Sequence, residues 1–360
     1  MLFPYTYVPH QMEKMQEFID FIFFEVWCKA PIGLEFHPDL FDVQPDLKSI
    51  MSEFGFSAQA PKRGKTFYKE VKAIYELFAQ LSEPDIDQFK QWYLGNNNIE
   101  KVCRNDTTSQ LLRYIDIPVA HKVLREEFKS YFKGLYSQSL LGLDQFKSKI
   151  GDIDDHYKTF VKTNNKGKCP FCGINDLLSE YHSKREAYDH YLPKALYPFN
   201  SINFYNLVPA CHHCNSSYKT SKNPAHIPKD PTRMGQRRKV FYPYTGTSHT
   251  IELQVTLNSS DVQNLTPTDI TLQFGPSEIS EEIETWKDVY GIDERYKAIY
   301  CGENVGKYWL TQILDEWNVD GRKPAEFMTT LARQADRSPY AEYNFLKKPF
   351  LDACQQRDLF

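Results

Sequence analysis

Two Cys-x-x-Cys pairs constrain the fold of this chain more than any other feature. Cys169 and Cys172 form the first pair, Cys211 and Cys214 form the second, and 38 residues separate them. A Cys-x-x-Cys turn places two thiolates on one side of a metal ion, and two such turns complete a tetrahedral site. Four cysteine ligands leave no position for water, so the predicted zinc is structural and holds the ends of the segment together. The alternative, one redox-active pair and one accidental pair, is disfavoured by the Asp-His dipeptide that the pairs enclose.

Polar residues within and just after this segment point to a second metal ion. Asp189 offers a hard oxygen ligand for a divalent cation, and the adjacent His190 offers a base whose pKa lies near neutrality. Asn215 follows the second cysteine pair and offers a neutral oxygen ligand. A cation with one carboxylate and one amide ligand keeps positions open for water and phosphate oxygens, which suits magnesium-assisted phosphodiester hydrolysis. His212 and His213 are expected to pack or hydrogen-bond near the zinc, because four cysteines already complete that site.

The order Cys-x-x-Cys, Asp-His, Asn, Cys-x-x-Cys-Asn resembles the HNH endonucleases of the ββα-metal (His-Me finger) superfamily. In that family two short strands and a helix hold one divalent cation. The resemblance implies that His190 activates water, and that Asp189 and Asn215 bind a catalytic Mg²⁺ or Mn²⁺. It also implies that Asn206 holds the loop bearing His190, and that the four cysteines bind the structural zinc of the zinc-containing branch. The third signature position is often His in the family and is Asn215 here, which is a familiar variant.

Three further motifs are His190-Tyr-Leu-Pro-Lys194, Asn206-Leu-Val-Pro-Ala-Cys211 and Phe241-Tyr-Pro-Tyr244. Together they resemble standalone HNH proteins of prokaryotic genomes. Many of those proteins are associated with phage defence, and some are paired with an ATPase. We therefore expect metal-dependent cleavage of nucleic acid, with DNA favoured over RNA. Two alternatives stay open. One is a nuclease subunit that is inactive without a partner, and the other is a zinc module that binds nucleic acid without cutting it.

Positive charge that could bind a phosphate-bearing partner is concentrated in one segment of the chain. The formal net charge of -4 excludes a globally basic nucleic-acid-binding protein. Between Ser216 and Lys239, however, the chain has seven basic residues and a single acid, Asp230. Such a run beside a metal centre can follow a nucleic-acid backbone, although a solvated loop is the alternative. The predicted contacts are Lys194, Lys219, Lys222, Arg233, Arg237 and Arg238.

The flanks of the cysteine segment are predicted to be mainly helical. The chain is therefore expected to be an α+β protein with an embedded zinc-stabilised ββα-metal module and a few additional strands. We predict an N-terminal helical region at 1–160, the nuclease module at 161–245, and short strands followed by a C-terminal helical region at 246–360. Helical apolar spacing supports helices near 12–26, 66–81 and 121–136, whereas alternation predicts strands near 251–255 and 270–274. The proline-rich segment 31–66 is expected to be irregular.

The chain is predicted to be a cytoplasmic protein with reduced cysteines. The longest apolar run, Phe18–Trp27, is interrupted by Asp20 and Glu25 and is too short to span a membrane. No signal peptide is visible, and a chain of this length does not need disulfides for stability. The large helical flanks offer a surface for a protein partner or a second copy of the chain.

Overall fold

The described part of the protein is 56% helical, and its strands form two small antiparallel sheets. The computed structural model describes residues 1–228, 235–247 and 249–360. This composition confirms the predicted mainly helical α+β class. No helix in the described part of the chain is long and apolar enough to cross a membrane.

The helices before the cysteine segment pack around a core rich in aromatic rings. At its centre the Trp27 indole N–H donates to the carbonyl of Val71 at 3.0 Å, and both residues are fully buried. The helices are Lys14–Phe21 (α1), Pro45–Phe56 (α2), Lys62–Phe78 (α3), Glu83–Asn97 (α4), Ile99–Cys103 (α5), Lys122–Leu135 (α6), Gln138–Leu141 (α7), Asp144–Ile150 (α8) and Ile153–Thr163 (α9).

Helix α2 lies in the segment that was predicted to be irregular, so that prediction was wrong. Pro45 occupies the first turn of α2, where a missing backbone N–H costs nothing. Leu47, Ile50 and Phe54 are buried on one face of the helix. The prolines of this segment therefore start helical structure rather than exclude it, and the apolar spacing within α2 decides the outcome.

Phe199 links the cysteine segment to the N-terminal helices. Its ring centroid lies 5.1 Å from those of Tyr93 in α4 and Phe132 in α6, and 5.6 Å from that of Phe23. The Phe199 backbone has a φ of 79°, a conformation that costs free energy for a residue with a Cβ. The packing of this buried ring offsets that cost and fixes the loop after His190 against the helical region.

Two short strands and a helical segment follow each other within the cysteine segment. Strand β1 (Tyr188–His190) pairs antiparallel with β2 (Leu207–Pro209), and His190 lies opposite Leu207. A π-helical segment, His213–Lys219, comes next. Its wide turn is closed by the Thr220 N–H, which donates to the Asn215 carbonyl at 2.9 Å. The order of elements is therefore strand, strand, helix.

The C-terminal part combines a hairpin with helices, as predicted. Strand β3 (Glu252–Leu257) pairs antiparallel with β4 (Ile270–Gly275), which confirms both expected strands. The last helix packs against β3. The helices are Ser280–Tyr290 (α10), Ile292–Tyr300 (α11), Tyr308–Asn318 (α12), Pro324–Arg337 (α13) and Asn344–Gln356 (α14).

Candidate metal centre and adjacent polar site

The four cysteines form one buried cluster. The Sγ atoms of Cys169, Cys172, Cys211 and Cys214 all lie within 4.8 Å of one another, and those of Cys172 and Cys211 are 3.9 Å apart. Tetrahedral zinc with Zn–S bonds of about 2.3 Å requires sulfur atoms roughly 3.8 Å apart. The donors therefore fit a zinc ion, and the cluster could hold one. Within the described residues, it is the one group of three or more His, Cys, Asp or Glu side chains with metal-binding geometry.

Local backbone hydrogen bonds shape the turn that presents the first cysteine pair. The Gly173 N–H donates to the carbonyl of Cys169 at 2.7 Å, and the Cys169 N–H donates to the carbonyl of Asn175 at 2.9 Å. The Ile174 N–H points at the Cys172 sulfur at 3.4 Å. Gly173 has a φ of 68°, which favours glycine at this position. These hydrogen bonds all lie within residues 169–175, so none of them comes from the second cysteine pair.

Gly173→Ala is predicted to destabilise the protein by about 2–4 kcal/mol, more than backbone strain alone would. An added Cβ would lie 2.4 Å from Cδ1 of Leu2 and 2.7 Å from Cζ of Phe345, so packed side chains must move. Gly167→Ala is the matched control, because Gly167 also has a φ of 68° but has open space around the Cβ position. Urea unfolding of both variants checks the prediction, and equal losses would contradict it.

Arg295 supplies positive charge beside the sulfur cluster. Its Nη1 donates to the Cys214 sulfur at 3.2 Å, and its Nη2 donates to Oδ1 of Asn175 at 3.3 Å. Burial acts to lower the pKa of Arg295, but the thiolates of Cys214 and Cys172 outweigh it and raise that pKa. Four thiolates around Zn²⁺ carry a net charge of two minus, which this guanidinium offsets. No local pattern in the chain points to Arg295, because it lies in an ordinary helix 81 residues beyond Cys214.

The two histidines between the second pair do not have the expected role. His212 and His213 are both exposed, and the structure records a ring contact between them at 6.0 Å. They were predicted to pack or hydrogen-bond near the zinc, and that prediction was wrong. A turn that directs Cys211 and Cys214 inward places the two residues between them on the outside.

His190 is held in one orientation and one tautomer. Its Nε2 lies 2.9 Å from the carbonyl of Ser201, and since a carbonyl only accepts, Nε2 carries the proton. Nδ1 therefore has a free lone pair. The ring of Tyr136 packs edge-on at 4.8 Å. Burial and the positive charge of Lys194 lower the pKa of His190 to about 3. The imidazole is therefore neutral at pH 7, and the expectation from the sequence that its pKa lies near neutrality was wrong.

Asn206 anchors the loop that follows His190. Its Oδ1 accepts from the Leu192 N–H at 2.7 Å, and its Nδ2 donates to the carbonyls of Leu192 at 3.0 Å and Asn200 at 3.2 Å. The Asn206 carbonyl also accepts from the N–H of Tyr191 at 2.8 Å. These are the backbone hydrogen bonds that the family resemblance implied for this side chain. Its importance for catalysis stays a prediction.

Asp189 and Lys219 form a buried ion pair. Lys219 is 0% exposed and Asp189 is 3% exposed. The Lys219 ammonium donates to Oδ1 of Asp189 and to the carbonyl of His190, each at 2.8 Å. Burial raises the pKa of Asp189, and the charge of Lys219 counteracts part of that rise. Oδ2 of Asp189 is buried and has no hydrogen-bond partner among the residues described. One carboxylate oxygen is therefore paired and the other is available.

Lys219→Met is predicted to destabilise the protein by about 3–5 kcal/mol, because it leaves the Asp189 carboxylate buried without its cation. Chemical denaturation measures the loss. The double variant Asp189→Asn with Lys219→Met is the control, since it removes both charges and should recover much of the stability. A loss below about 1 kcal/mol for Lys219→Met would show that the pair contributes no more than an exposed one.

Asn215 is half-buried at the start of the π-helical segment. Its carbonyl accepts from Thr220, but no hydrogen bond of its side-chain amide is recorded within the described ranges. Asp189 Oδ2 has no hydrogen-bond partner either, so both oxygens are acceptors without a donor among the described residues. The proposed pairing of these two oxygens on one cation stays a prediction.

The lysine side chains that were predicted to contact nucleic acid donate hydrogen bonds within the protein in this structure. Besides buried Lys219, Lys194 donates to the carbonyls of Lys133 and Tyr136 at the end of α6. Lys222 donates to the carbonyls of Asp288 and Val289 in α10. A phosphate would compete with these carbonyls, and the contact role of both lysines stays a prediction.

Two of the three arginines of the basic run also donate hydrogen bonds within the protein. Arg237 donates to the carbonyls of Asp106 and Ser109 at 3.1 and 3.0 Å. Arg238 is buried, pairs with Asp288 at 2.7 Å and donates to the carbonyl of Pro224. Arg233 lies outside the described residues. For Arg237 and Arg238, the observed hydrogen bonds tie the last part of the predicted module to the loop after α5 and to α10.

Comparison with protein-family models, curated proteins and solved structures found no match for this chain. The functional assignment therefore depends on the residues of the site and on their geometry.

Proposed function

We propose that this protein is a metal-dependent HNH-type endonuclease whose centre is formed by β1, β2 and the π-helical segment. One observation carries the proposal. On β1 a buried carboxylate with an unpartnered oxygen, Asp189, directly precedes a neutral histidine with a free Nδ1, His190. A buried carboxylate oxygen without a partner needs an explanation, and a bound cation is one that its chemistry allows. A hard cation at Asp189, with Asn215 as second ligand, meets that need.

The residues of this site divide the work of phosphodiester hydrolysis. His190 Nδ1 accepts a proton from the attacking water, and the Ser201 carbonyl stabilises the resulting imidazolium through the Nε2–H. The water oxygen then bonds to phosphorus as the bond to the leaving oxygen breaks, and the leaving oxygen keeps that electron pair and takes a proton from a second water molecule. Asp189 and Asn215 would hold the Mg²⁺ or Mn²⁺, which would supply charge stabilisation for the phosphate oxygens. Asn206 keeps the His190 loop in place, and zinc at the four cysteines holds the two ends of the module.

A cleavage assay tests this proposal and its non-catalytic rival. Purified protein is incubated with plasmid, linear and single-stranded DNA and with RNA, in Mg²⁺, in Mn²⁺ and in a chelator. We expect DNA to be cut only when a divalent cation is present. Retention of DNA in a binding assay without cleavage by either metal would instead support a zinc module that only binds nucleic acid.

The position of Lys219 favours a second candidate, a nuclease subunit that is inactive without a partner. Its ammonium occupies Oδ1 of Asp189, where it repels a divalent cation. Titration with Mn²⁺ alone distinguishes the two states. Binding at Asp189, lost in Asp189→Asn, supports the autonomous enzyme. No binding, together with cleavage that appears when a co-purified protein such as an ATPase is added, supports the regulated subunit.

A role in antiviral defence is part of the same proposal. It is supported by the resemblance of the motifs at 190–194, 206–211 and 241–244 to HNH proteins associated with phage defence. Phage plating on cells that express the wild-type protein or His190→Ala tests it. Protection that depends on His190 is the expected result, and equal protection by the two proteins would contradict a nuclease effector.

A further inference from the structure

A polar groove in the C-terminal region is separate from the candidate nuclease site. It lies between α12, α13 and the turn before α14, and its volume is about 960 Å³. Pockets for small ligands have volumes of about 300–1,000 Å³. The groove is therefore large enough for a ligand of nucleotide size.

Positive charge dominates the lining of this groove. Arg333, Arg337 and Lys347 line it, against one acid, Glu342. Arg333 and Arg337 are exposed, one turn apart on α13, and neither side chain has a recorded hydrogen bond or ion pair in residues 1–228, 235–247 and 249–360. Two guanidinium groups at this spacing can bind one phosphate through several N–H donors. The groove thus favours an anion.

Aromatic and amide groups lie beside these cations. Tyr308 at the rim is 53% exposed, whereas the adjacent Trp309 is 5% exposed and packs against Tyr343 and Phe350. An exposed ring of this kind is a platform on which a nucleobase can stack. The side chain of Gln334 also lines the groove and provides a hydrogen-bond donor and acceptor for a base edge, whereas the amide of Gln312 is engaged by Lys347 and Glu316. A simple anion would use only part of this surface.

The wall opposite α13 has an unusual backbone. Glu342 and Tyr343 have φ values of 49° and 59°, and consecutive left-handed residues with side chains are costly and concentrate at ligand sites. The Tyr343 ring lies 5.3 Å from the Lys168 ammonium, directly before Cys169. The wall therefore packs against the turn that carries the first cysteine pair.

We propose that this groove binds a nucleoside phosphate, with the phosphate on Arg333 and Arg337 and the base on Tyr308. This site is independent of the proposed nuclease activity. The same chemistry is present in a free nucleotide and at the 5′-phosphorylated end of a single strand, so the experiment below includes both.

Isothermal titration of the full-length protein, without divalent metal to prevent cleavage, tests the proposal. The probes are nucleoside 5′-monophosphates and triphosphates, a short 5′-phosphorylated single-stranded oligonucleotide, adenosine, and inorganic pyrophosphate. The test variant is Arg333→Glu with Arg337→Glu. Its matched control is Lys162→Glu with Lys323→Glu, which makes the same charge change at exposed positions outside the groove lining. Circular dichroism verifies that both variants fold.

We expect a nucleotide or the oligonucleotide to bind the wild-type protein and the control equally. Affinity should fall by roughly 10-fold or more in the arginine variant. Tyr308→Ala should weaken nucleotide binding but leave pyrophosphate binding unchanged. Preference for the free nucleotide identifies a small-molecule site, and preference for the oligonucleotide identifies a strand-end site. The proposal is overturned if neither probe binds, if the arginine variant matches its control, or if pyrophosphate binds as tightly as the nucleotide.

Discussion

Replacing His190 by alanine will lower the rate of phosphodiester cleavage by about 10²–10⁴-fold while the protein stays folded. The substitution removes the Nδ1 lone pair that would accept the proton of the attacking water. It also removes the Nε2–H donor to the Ser201 carbonyl, which is one hydrogen bond to the backbone of the same loop. The Asn206 hydrogen bonds remain and keep that loop in place. Initial rates on plasmid DNA in Mg²⁺ or Mn²⁺ measure the effect.

His212→Ala is the matched control for this experiment. His212 lies in the same module but is exposed, and no hydrogen bond of its ring is recorded in the described part of the chain. We expect His212→Ala to cut at the wild-type rate and both variants to unfold at nearly the same temperature. Full activity of His190→Ala on plasmid DNA would remove His190 from the catalytic role.

Cys214→Ser is expected to abolish zinc binding and to unfold the module between the cysteine pairs. Binding free energy for structural zinc is about 10–16 kcal/mol in small zinc-finger peptides, and it contributes directly to folding. A serine oxygen is a poor replacement for a thiolate ligand of zinc. The Arg295 guanidinium would also lose the sulfur to which it donates at 3.2 Å and would be left buried with fewer partners. Cys169→Ser is expected to behave in the same way.

Metal analysis and limited proteolysis measure the two effects separately. The control is Cys301→Ser, a half-buried thiol outside the cluster, which should keep the wild-type zinc content and protease resistance. Loss of zinc should coincide with cleavage by the protease within the module, while the N-terminal helices around Trp27 persist. Purified wild-type protein without zinc, or Cys214→Ser with a full zinc content, would exclude the four-cysteine site.

Local patterns in the chain predicted the helices and strands where a single face is apolar. Alternating residues near 251–255 and 270–274 form β3 and β4, because period-two burial is a local property of the sequence. Helix α2 was missed because prolines usually interrupt helices, and only the position of Pro45 in the first turn makes it compatible with one. The packing of the Phe199 ring against the N-terminal helices could not be predicted, because its ring partners lie more than 60 residues away in the chain.

The four-cysteine cluster was determined by the sequence itself, because each Cys-x-x-Cys spacing places two thiolates where one metal ion can bind both. The roles of the cations near it were decided only by the tertiary structure. A basic residue has the same local signature whether it is solvated or buried, and its partners come from distant parts of the chain. Lys219 is fully buried on Asp189, Arg238 pairs with Asp288, and Arg295 reaches the Cys214 sulfur from another helix. Charge patterning therefore located a basic segment, whereas packing determined which of its charges bind the protein's own backbone and carboxylates.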